Sequence, residues 1–333
     1  MRLTAKLSLL PLALLLAAAA PSGNKAEVVL RPADAPLKWS LAIHGGAGTI
    51  PKTMPEGVRR EYLQSLDRAL AVGKEILAKG GASLDAVQAV VRFLEDDPLF
   101  NAGKGAVYTH EGTHELDAAI MDGRTLACGS VAALKTVKNP IALARLVMEK
   151  SPHVFLVGDG AEAFATAMKV ERVDNTYFDT PKRRAEWEEE LKKESARKDR
   201  DTVGAVALDR QGNLAAATST GGLTNKRFGR LGDVPVIGAG TYANNRTCAV
   251  SATGFGEEFI KHTVAHDISA LMEYAGLTLQ QAADKVIHEK LKPGDGGVIG
   301  VAHDGSIALV FNSEGMYRGA ADSAGRFEVR IWE

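Results

Sequence analysis

The segment that decides the fold is residues 202–220, which read TVGAVALDRQGNLAAATST. It contains two runs of small and apolar residues, each of strand length, separated by the turn sequence DRQG. If residues 210–212 form a three-residue loop with Gly212 in the left-handed region, Asp209 pairs with Asn213 and the two runs form a β-hairpin. The first run is almost continuously apolar, which favours a strand that is covered on both faces.

The register of this hairpin determines which side chains share a face. It places Thr202 opposite Thr220 and Gly204 opposite Thr218, with both pairs on the same face. Because Gly204 has no side chain, we expect this face to stay open beside Thr202, with the hydroxyl groups of Thr218 and Thr220 nearby. A two-residue loop would shift the pairing by one residue and abolish this arrangement. The alternative is an ordinary hairpin whose threonines reflect strand propensity alone.

Charge dominates the segment before the hairpin, residues 181–201, which read PKRRAEWEEELKKESARKDRD. No apolar stripe in this segment could be buried, so we expect a solvated helix or a flexible link. A charged link that leads directly into a buried strand indicates either an ordinary interdomain linker or a processing site. Cleavage of the Asp201–Thr202 bond would give Thr202 a free α-amine, whose ordinary pKa of about 7.7–8.0 suits a base for its own hydroxyl.

Two segments after the hairpin carry polar groups suited to an active site. Residues 221–233, GGLTNKRFGRLGD, form a glycine-rich loop in which Arg230 and Asp233 could bind the α-carboxylate and α-ammonium of an amino acid. Residues 252–257, ATGFGE, join a strand to a helix start, where backbone N–H groups and the Thr253 hydroxyl could stabilise an oxyanion. A solvated surface loop and a plain strand-to-helix turn are the corresponding alternatives.

The rest of the chain alternates between helical and strand patterns. Helical spacing predicts helices over Val58–Ala78, Ser83–Leu94, Ile141–Met148 and Ala161–Lys169, and one or two within Glu257–Leu291. Strands are predicted over Trp39–Ile43, His153–Val157, Cys248–Thr253, Gly297–Ala302, Ile307–Phe311 and Phe327–Ile331, and within Ala106–Leu134. Ser83 is suited to be the N-cap of its helix. Strands with helices in both halves of the chain indicate a layered α/β protein.

The overall composition is that of a globular protein. Of the 333 residues, 45% are apolar and 24% are charged, which is enough apolar material for a sizeable core. The 40 basic and 41 acidic residues give a net charge of −1, which excludes a polyanion binder that relies on bulk positive charge. The two cysteines, Cys128 and Cys248, exclude a disulfide-dense scaffold and a four-cysteine zinc site. We expect both thiols to be unpaired, with one bridge between them as the alternative.

The N-terminus has the pattern of a targeting segment. Residues 1–20 read MRLTAKLSLLPLALLLAAAA, with a basic start, a short apolar run and small residues at the end. The apolar run is too short to span a bilayer comfortably, so we interpret residues 1–20 as a secretory signal peptide. A retained anchor helix is the alternative. We therefore expect an exported protein, periplasmic or secreted, that is not bound to a membrane once the signal is removed.

One segment formally matches a zinc-protease motif. Residues 110–114 read HEGTH, which fits the pattern HExxH. That chemistry requires both histidines on one helix face, whereas Gly112 and the β-branched residues around it favour a hairpin. We therefore do not expect zinc chemistry at this segment.

Several motifs together resemble one protein family. In the second half these are DTVGAVALD at 201–209, TSTGGLTNKRFGRLGD at 218–233, IGAGTY at 237–242 and SATGFGE at 251–257. In the first half they are HGGAG at 44–48, LFNAGKGAVYT at 99–109 and HELDAAIMDG at 114–123. From Trp39 to the C-terminus the chain resembles the plant-type asparaginase and isoaspartyl peptidase family of N-terminal-nucleophile hydrolases.

The resemblance implies a fold and a maturation step. The fold would be a four-layer αββα sandwich formed by residues 21–333. The inactive precursor would cut itself between Asp201 and Thr202, giving an α subunit of residues 21–201, ending in the charged flexible link 181–201, and a β subunit of residues 202–333. Two such αβ pairs would associate into a dimer.

The resemblance also implies roles for individual residues. Thr202 would be the nucleophile, activated by its own amine with help from Thr220. Thr253 and Gly254 would form the oxyanion hole. The substrate would be bound by Arg230, Asp233, Asn101 and Gly254. No catalytic cofactor is implied, but a structural sodium ion would be held by backbone carbonyls of Leu94, Glu95, Asp97, Phe100, Ala102 and Lys104.

The implied reaction is hydrolysis of L-asparagine and β-aspartyl dipeptides through a β-aspartyl ester of Thr202. Two alternatives remain at this point, a glycosylasparaginase-like amidase and a non-catalytic exported amino-acid-binding protein, which would stay one chain. The sequence departs from the family pattern at Asp201, where many relatives have glycine, and at Phe255, where smaller or polar residues are common. Both departures put the rate of self-cleavage in doubt.

Overall fold

A computed structural model describes residues 39–192 and 201–333. Within them the strands are β1 Ser40–Gly48, β2 Leu116–Asp122, β3 Cys128–Leu134, β4 Phe155–Val157, β5 Val203–Leu208, β6 Leu214–Thr220, β7 Thr241–Ala243, β8 Cys248–Gly254, β9 Gly296–Ala302, β10 Ile307–Phe311, β11 Gly315–Asp322 and β12 Phe327–Arg330. The helices are α1 Glu56–Ala78, α2 Ser83–Asp96, α3 Pro140–Lys150, α4 Gly158–Ala167, α5 Pro181–Glu190, α6 Gly256–His262, α7 Val264–Ala275 and α8 Leu279–Asp284. A π-helical turn, Lys285–Lys290, follows α8 directly.

The larger sheet has the strand order β12-β11-β1-β5-β6-β2-β3-β4. Neighbouring strands in it are antiparallel except for β3 and β4, which are parallel. The hairpin β5–β6 lies in the middle of this sheet and is buried along its whole length. Val203 and Ala205 of β5 face one hydrophobic core, while Val206 and Leu208 face another. The strand is therefore covered on both faces, as its apolar run predicts.

The smaller sheet has the strand order β10-β9-β8-β7. Three hydrophobic clusters surround the two sheets. One lies between the larger sheet and helices α1 to α4, a second between the two sheets, and a third between the smaller sheet and helices α6 to α8. The chain is thus a mixed α/β protein with two sheets and helices packed against both of them.

Helix α2 begins where the sequence predicts it, but its N-cap is different. Ser83 was expected to cap the helix; instead Ala82 occupies the N-cap position and makes no side-chain cap hydrogen bond. The backbone N–H of Ser83 donates to Asp209 Oδ2 over 3.0 Å. Asp209 lies in the β5–β6 turn, so a residue distant in sequence satisfies the orphan N–H that a local cap would otherwise bind.

The strand predictions fail in two places. The segment Gly315–Asp322 reads GMYRGAAD and was not predicted as a strand, yet it forms β11 between β1 and β12. The short strand β7, Thr241–Ala243, was also missed. β1 extends past its predicted end through the HGGAG motif, with an irregularity in its pairing between His44 and Gly46. The HGGAG motif and Gly315–Asp322 are rich in glycine and alanine, which give a weak strand signal, and β7 is only three residues long. Pairing with neighbouring strands therefore decides the conformation of these segments.

The charged segment before the hairpin is structured in its first half. Residues Pro181–Glu190 form helix α5, and Thr180 caps it by accepting a hydrogen bond from the N–H of Arg183. Contrary to expectation, Arg183 and Glu190 are buried in this segment. The flexible link predicted over 181–201 is therefore wrong for α5, while residues 193–200 lie outside the described part of the chain.

The predicted signal peptide, residues 1–20, also lies outside the described residues. Within residues 39–192 and 201–333, no helix combines the length and the apolar character needed to cross a bilayer. Cys128 and Cys248 are both unpaired, as expected.

Candidate active site

The predicted register of the β5–β6 hairpin is confirmed. Gly212 has a φ of +82°, and the N–H of Asp209 donates to the carbonyl of Asn213 over 3.0 Å. Gly204 pairs with Thr218, which places Thr202 opposite Thr220 at the open end of the hairpin. The Thr202 hydroxyl donates to the Thr220 hydroxyl over 3.1 Å. The turn sequence alone therefore brings these two hydroxyls together.

The face beside Thr202 is not open, contrary to expectation. A Cβ atom on Gly204 would lie 2.0 Å from Ser251 Oγ and 2.4 Å from His44 Nε2. The missing side chain thus makes room for two polar residues from β8 and β1 rather than for a cavity. The Thr218 hydroxyl lies 2.7 Å from Ser251 Oγ and accepts a hydrogen bond from Thr241, so it supports this layer and does not contact Thr202 directly.

His44 connects this buried layer to Thr202. Its Nδ1 lies 2.9 Å from the carbonyl oxygen of Thr202, and its Nε2 lies 2.8 Å from Ser251 Oγ. Burial lowers the pKa of His44 to about 3, so the ring is neutral. Because a carbonyl oxygen can only accept, Nδ1 carries the proton and Nε2 accepts from Ser251. In the sequence His44 is part of the HGGAG motif, which did not predict this role.

The carbonyl group of Asp201, at the predicted cleavage bond, is bound by two donors. Asn101 Nδ2 donates to the carbonyl oxygen over 2.8 Å, and the Thr220 hydroxyl donates to it over 3.3 Å. The orientation of the Asn101 amide is fixed because its Oδ1 accepts the N–H of Val107 over 3.0 Å. Asn101 was expected to line the site, but its contact with this carbonyl was not foreseen.

Arg230 and Asp233 line one cleft together with Asp201, Thr202 and Thr220. Its remaining lining residues are Gly222, Leu223, Gly232 and Gly254. The guanidinium of Arg230 is held by Glu257, whose two carboxylate oxygens accept from Nε and Nη2 at 2.9 Å each. Gly232 permits this position, since a Cβ there would lie 3.0 Å from Nη1 of Arg230. Glu257 belongs to the ATGFGE motif, but its contact with Arg230 was not predicted.

Asp233 is buried and poised to accept a cation. Among the described residues, its Oδ2 has no hydrogen-bond partner. Burial raises the pKa of Asp233 to about 7, although its own backbone N–H and the charge of Arg230 act in the opposite direction. A ligand ammonium bound next to this carboxylate would favour its ionised form.

The predicted oxyanion residues lie at the end of β8. Gly254 lines the cleft, whereas Thr253 is fully buried and its Oγ1 accepts the N–H of Ala47 over 3.2 Å. The N–H of Phe255 donates to the carbonyl of Asp295 over 2.8 Å, so this donor is already engaged. Of the strand-to-helix turn, only Gly254 faces the cleft directly.

The loop predicted to hold sodium, Leu94–Lys104, runs into a short helical turn at Gly103–Gly105. A Cβ on Gly103 would lie 2.2 Å from the carbonyl oxygen of Glu95, and one on Gly105 would lie 2.0 Å from that of Phe100. The carbonyl oxygens of Glu95 and Phe100 therefore lie close to the backbone of Gly103 and Gly105, respectively. Those of Asp97 and Ala102 accept backbone N–H groups.

The HEGTH segment forms a turn rather than a helix. The N–H of Thr109 donates to the carbonyl of Thr113 over 2.7 Å. His110 Nδ1 contacts Asn225 at 2.7 Å, and His114 Nε2 contacts Asp179 at 3.0 Å. The two imidazoles thus have separate protein partners, and no metal-binding cluster of His, Cys, Asp and Glu occurs in the described part of the chain.

Comparisons with known proteins cover almost all of the described residues. A protein-family model described as asparaginase matches residues 37–331. An isoaspartyl peptidase of Salmonella typhimurium is 53% identical, over 84% of this chain and 94% of its own length. A probable isoaspartyl peptidase/L-asparaginase 2 of Arabidopsis thaliana is 45% identical, over 89% of this chain and 99% of its own length. A human isoaspartyl peptidase/L-asparaginase is 44% identical, over 84% and 92% respectively.

Proposed function

The chain belongs to the asparaginase family of hydrolases, and we propose that it is a self-processing enzyme that cleaves β-aspartyl dipeptides and L-asparagine. The observation that carries this proposal is the arrangement at the Asp201–Thr202 bond. The nucleophilic hydroxyl, two donors on the carbonyl oxygen, and a cleft with Arg230 and Asp233 meet at this bond.

Self-cleavage is the first step of the proposed mechanism. Thr202 Oγ attacks the carbonyl carbon of Asp201, and its proton passes to the departing backbone nitrogen. Asn101 and Thr220 already donate to the carbonyl oxygen on which negative charge develops. The products of this step are an ester between Asp201 and the Thr202 side chain and a free Thr202 α-amine. Water then hydrolyses the ester, releasing the Asp201 carboxylate and restoring the Thr202 hydroxyl.

Substrate hydrolysis uses the same hydroxyl with the new amine as its base. Arg230 would bind the substrate α-carboxylate, and Asp233 would bind its α-ammonium. With both groups on the α-carbon fixed, the β-carbonyl is left to meet Thr202. The amine transfers the hydroxyl proton to the leaving nitrogen, ammonia or an amino acid departs, and water hydrolyses the β-aspartyl ester. Gly254, which lines the cleft, would stabilise the oxyanion, supported by the buried Thr253 next to it at the end of β8.

The proposal is tested first by the state of the chain. Purified protein should give two bands on a denaturing gel, and N-terminal sequencing of the smaller band should begin at Thr202. The Thr202→Ala variant should remain one chain. Fully active protein that persists as one chain would contradict the proposed processing and would instead fit direct catalysis by the intact precursor.

The substrate specificity is tested with four compounds. Processed enzyme should hydrolyse β-Asp-Leu and L-asparagine, little L-glutamine because its extra methylene misplaces the carbonyl, and essentially no α-Asp-Leu because its α-carboxylate is tied up in the peptide bond. Comparable turnover of the α- and β-linked dipeptides would show that anchoring by Arg230 and Asp233 is wrong. The binding-protein alternative predicts no turnover of any of the four.

We further propose the finer architecture that the family resemblance implies. Support for a four-layer αββα sandwich comes from the three hydrophobic clusters. One lies between the two sheets, and one lies between each sheet and its helices. The carbonyl oxygens of Glu95 and Phe100, which lie close to the Gly103 and Gly105 backbone, support a backbone-carbonyl site for a structural sodium ion, which would brace the loop and take no part in the chemistry. Melting curves in sodium and in choline chloride would test it.

Assembly and export are also proposals. Phe228 lies on the loop that carries Arg230 and is 98% exposed, which suits a contact between two αβ pairs. Light scattering of the processed enzyme would test for a dimer. The pattern of residues 1–20 supports export through a signal peptide, and N-terminal sequencing of the larger band from the native host would test its removal.

A further inference from the structure

A second cavity meets the substrate cleft at Asp201. It has a volume of about 470 Å³, which lies within the range of roughly 300–1,000 Å³ that is typical of small-molecule sites. The loop after β1, the start of α1 and the start of α5 form its walls. Among the described residues, Asp201 is the one that lines both this cavity and the substrate cleft. The cavity therefore begins where the predicted cleavage occurs.

Arg183 presents a buried cation to this cavity. It is 2% exposed; its Nε donates to the carbonyl of Gly105 over 2.8 Å, and its Nη1 donates to Glu186 over 3.0 Å. Within the described part of the chain, Nη2 has no hydrogen-bond acceptor. The side-chain carboxylate of Asp201 lies 3.8 Å from Nη2, close enough for an ion pair but too far for a hydrogen bond. A buried guanidinium with one unused donor can bind a better-placed carboxylate.

The remaining walls suit an apolar side chain. Ile50, Met54, Val58 and Leu99 contribute apolar surface. Lys182 also lines the cavity, and its Nζ donates to the Tyr62 hydroxyl over 2.6 Å. Apolar side chains and a cationic donor in one cavity match the two features of an amino acid residue with a hydrophobic side chain and a terminal carboxylate.

We propose that this cavity is the leaving-group subsite of the mature enzyme and holds the C-terminal residue of a β-aspartyl dipeptide, with Arg183 pairing to its carboxylate. This inference rests on the proposed function. Before cleavage the Asp201 side chain occupies that place, one residue away from the Thr202 hydroxyl. The leaving residue of a dipeptide extends from the carbonyl that Thr202 attacks into space beside the substrate cleft, and this cavity joins that cleft at Asp201. Cleavage breaks the bond between Asp201 and Thr202. The Asp201 carboxylate can then move away, and Arg183 becomes available to the substrate carboxylate.

The proposal is tested on processed wild-type enzyme with β-Asp-Leu, β-Asp-leucinamide and L-asparagine. The amide lacks only the terminal carboxylate, so kcat/KM for the acid should exceed that for the amide by at least about tenfold. Equal values for acid and amide would overturn the subsite, while hydrolysis of L-asparagine and β-Asp-Leu would leave the proposed function intact. Failure to hydrolyse either would instead contradict the proposed function.

Two variants assign the effect to Arg183. In Arg183→Met the preference for acid over amide should fall to about one, with L-asparagine turnover retained, because L-asparagine has no leaving residue. The matched control is Arg184→Met, because the Arg184 side chain stacks on Tyr108 outside the cavity. This variant should keep the wild-type ratio of kcat/KM for acid over amide. A ratio unchanged in Arg183→Met would overturn the role of Arg183. If that variant stays uncleaved, the wild-type comparison of acid and amide still decides whether the subsite exists.

Discussion

Of the two side chains that donate to the carbonyl of Asp201, Asn101 is the closer, and the proposed self-cleavage develops negative charge on this oxygen. Asn101→Ala should slow conversion of the precursor by about 10²–10³-fold, the usual effect of removing one oxyanion donor. The rate is measured as the time course of the two bands on a denaturing gel. Asn245→Ala is the control, since Asn245 binds the backbone of Leu214 without contacting Asp201 or Thr202. Equal slowing in both variants would indicate that only the fold is weakened.

Asp233 determines how ligand binding depends on pH. Its pKa is raised to about 7, so the carboxylate is mostly protonated at pH 6 and mostly ionised at pH 8. Only the ionised form attracts an α-ammonium, so the inhibition constant of L-aspartate should rise by up to about tenfold for each pH unit below 7. Succinate, which lacks the ammonium group, is the matched control and should not show this rise. Parallel curves for both inhibitors would exclude Asp233 as the ammonium partner.

At the scale of single elements, Asp209 joins the β5–β6 turn to the start of α2. Its Oδ2 accepts the N–H of Ser83, and its Oδ1 accepts the N–H groups of Gln211 and Asn213. Asp209→Ala should lower the free energy of unfolding by about 1–2 kcal/mol, the range found for lost helix caps. Urea titration of the uncleaved Thr202→Ala form measures it. The control is Asp304→Ala, in an exposed turn that caps no helix, which should lower the free energy of unfolding by less.

The same elements show what the sequence can predict. The hairpin register follows from local chemistry, because Gly212 alone selects the loop that pairs Asp209 with Asn213. The contents of the face beside Thr202 could not be predicted, since His44 and Ser251 fill it from strands far away in the chain. The burial of Arg183 was missed for the same reason. Its acceptor, the carbonyl of Gly105, is 78 residues distant.

The site residues also fall into those that the sequence predicts and those that only the structure reveals. Thr202, Thr220, Arg230 and Asp233 were found from the hairpin and one glycine-rich loop, and the structure brings them to one cleft. Glu257 was not foreseen, because an acidic residue at a helix start is commonplace and its contact with Arg230 depends on how two loops meet. Residue types and spacing thus predict the candidate groups, and the family resemblance implies their roles. The groups that hold them in place require the tertiary structure.

At the scale of the whole molecule, a neutral buried acid makes stability depend on pH. Burial raises the pKa of Glu95 from 4.5 to about 8, while its Oε1 accepts from Ser219 and Ile141. Between these values the native state binds more protons than the unfolded state, so the free energy of unfolding falls as pH rises. Glu95→Gln in the Thr202→Ala form should make this fall shallower between pH 5 and pH 8.

Urea midpoints at several pH values measure this effect. Asp117 and Asp233 also have raised pKa values through burial, so some decline should remain in Glu95→Gln. Glu75→Gln, at an exposed position on α1, is the control and should leave the slope unchanged. A slope that is equally steep in Glu95→Gln would show that Glu95 is ionised in the native protein.

The strand order predicts that the two halves stay together after cleavage. Residues before the cut supply β1, β2, β3 and β4, and residues after it supply the rest of the larger sheet. Strand pairs from different halves therefore occur at β11–β1, β1–β5 and β6–β2. Processed enzyme should elute as one species in native size-exclusion chromatography at nanomolar concentration. Separate elution of the two subunits without denaturant would contradict this arrangement.

This interleaving also changes the molecularity of refolding. An uncut chain regains its sheet in a reaction whose rate does not depend on concentration. Once the Asp201–Thr202 bond is gone, neither fragment can complete the larger sheet by itself. Recovery from urea then requires an encounter between two partners, whose unpaired strand edges also invite aggregation. The cut that creates the nucleophile would thus make unfolding effectively irreversible. The lifetime of the processed enzyme would then depend on a slow rate of unfolding rather than on a reversible folding equilibrium.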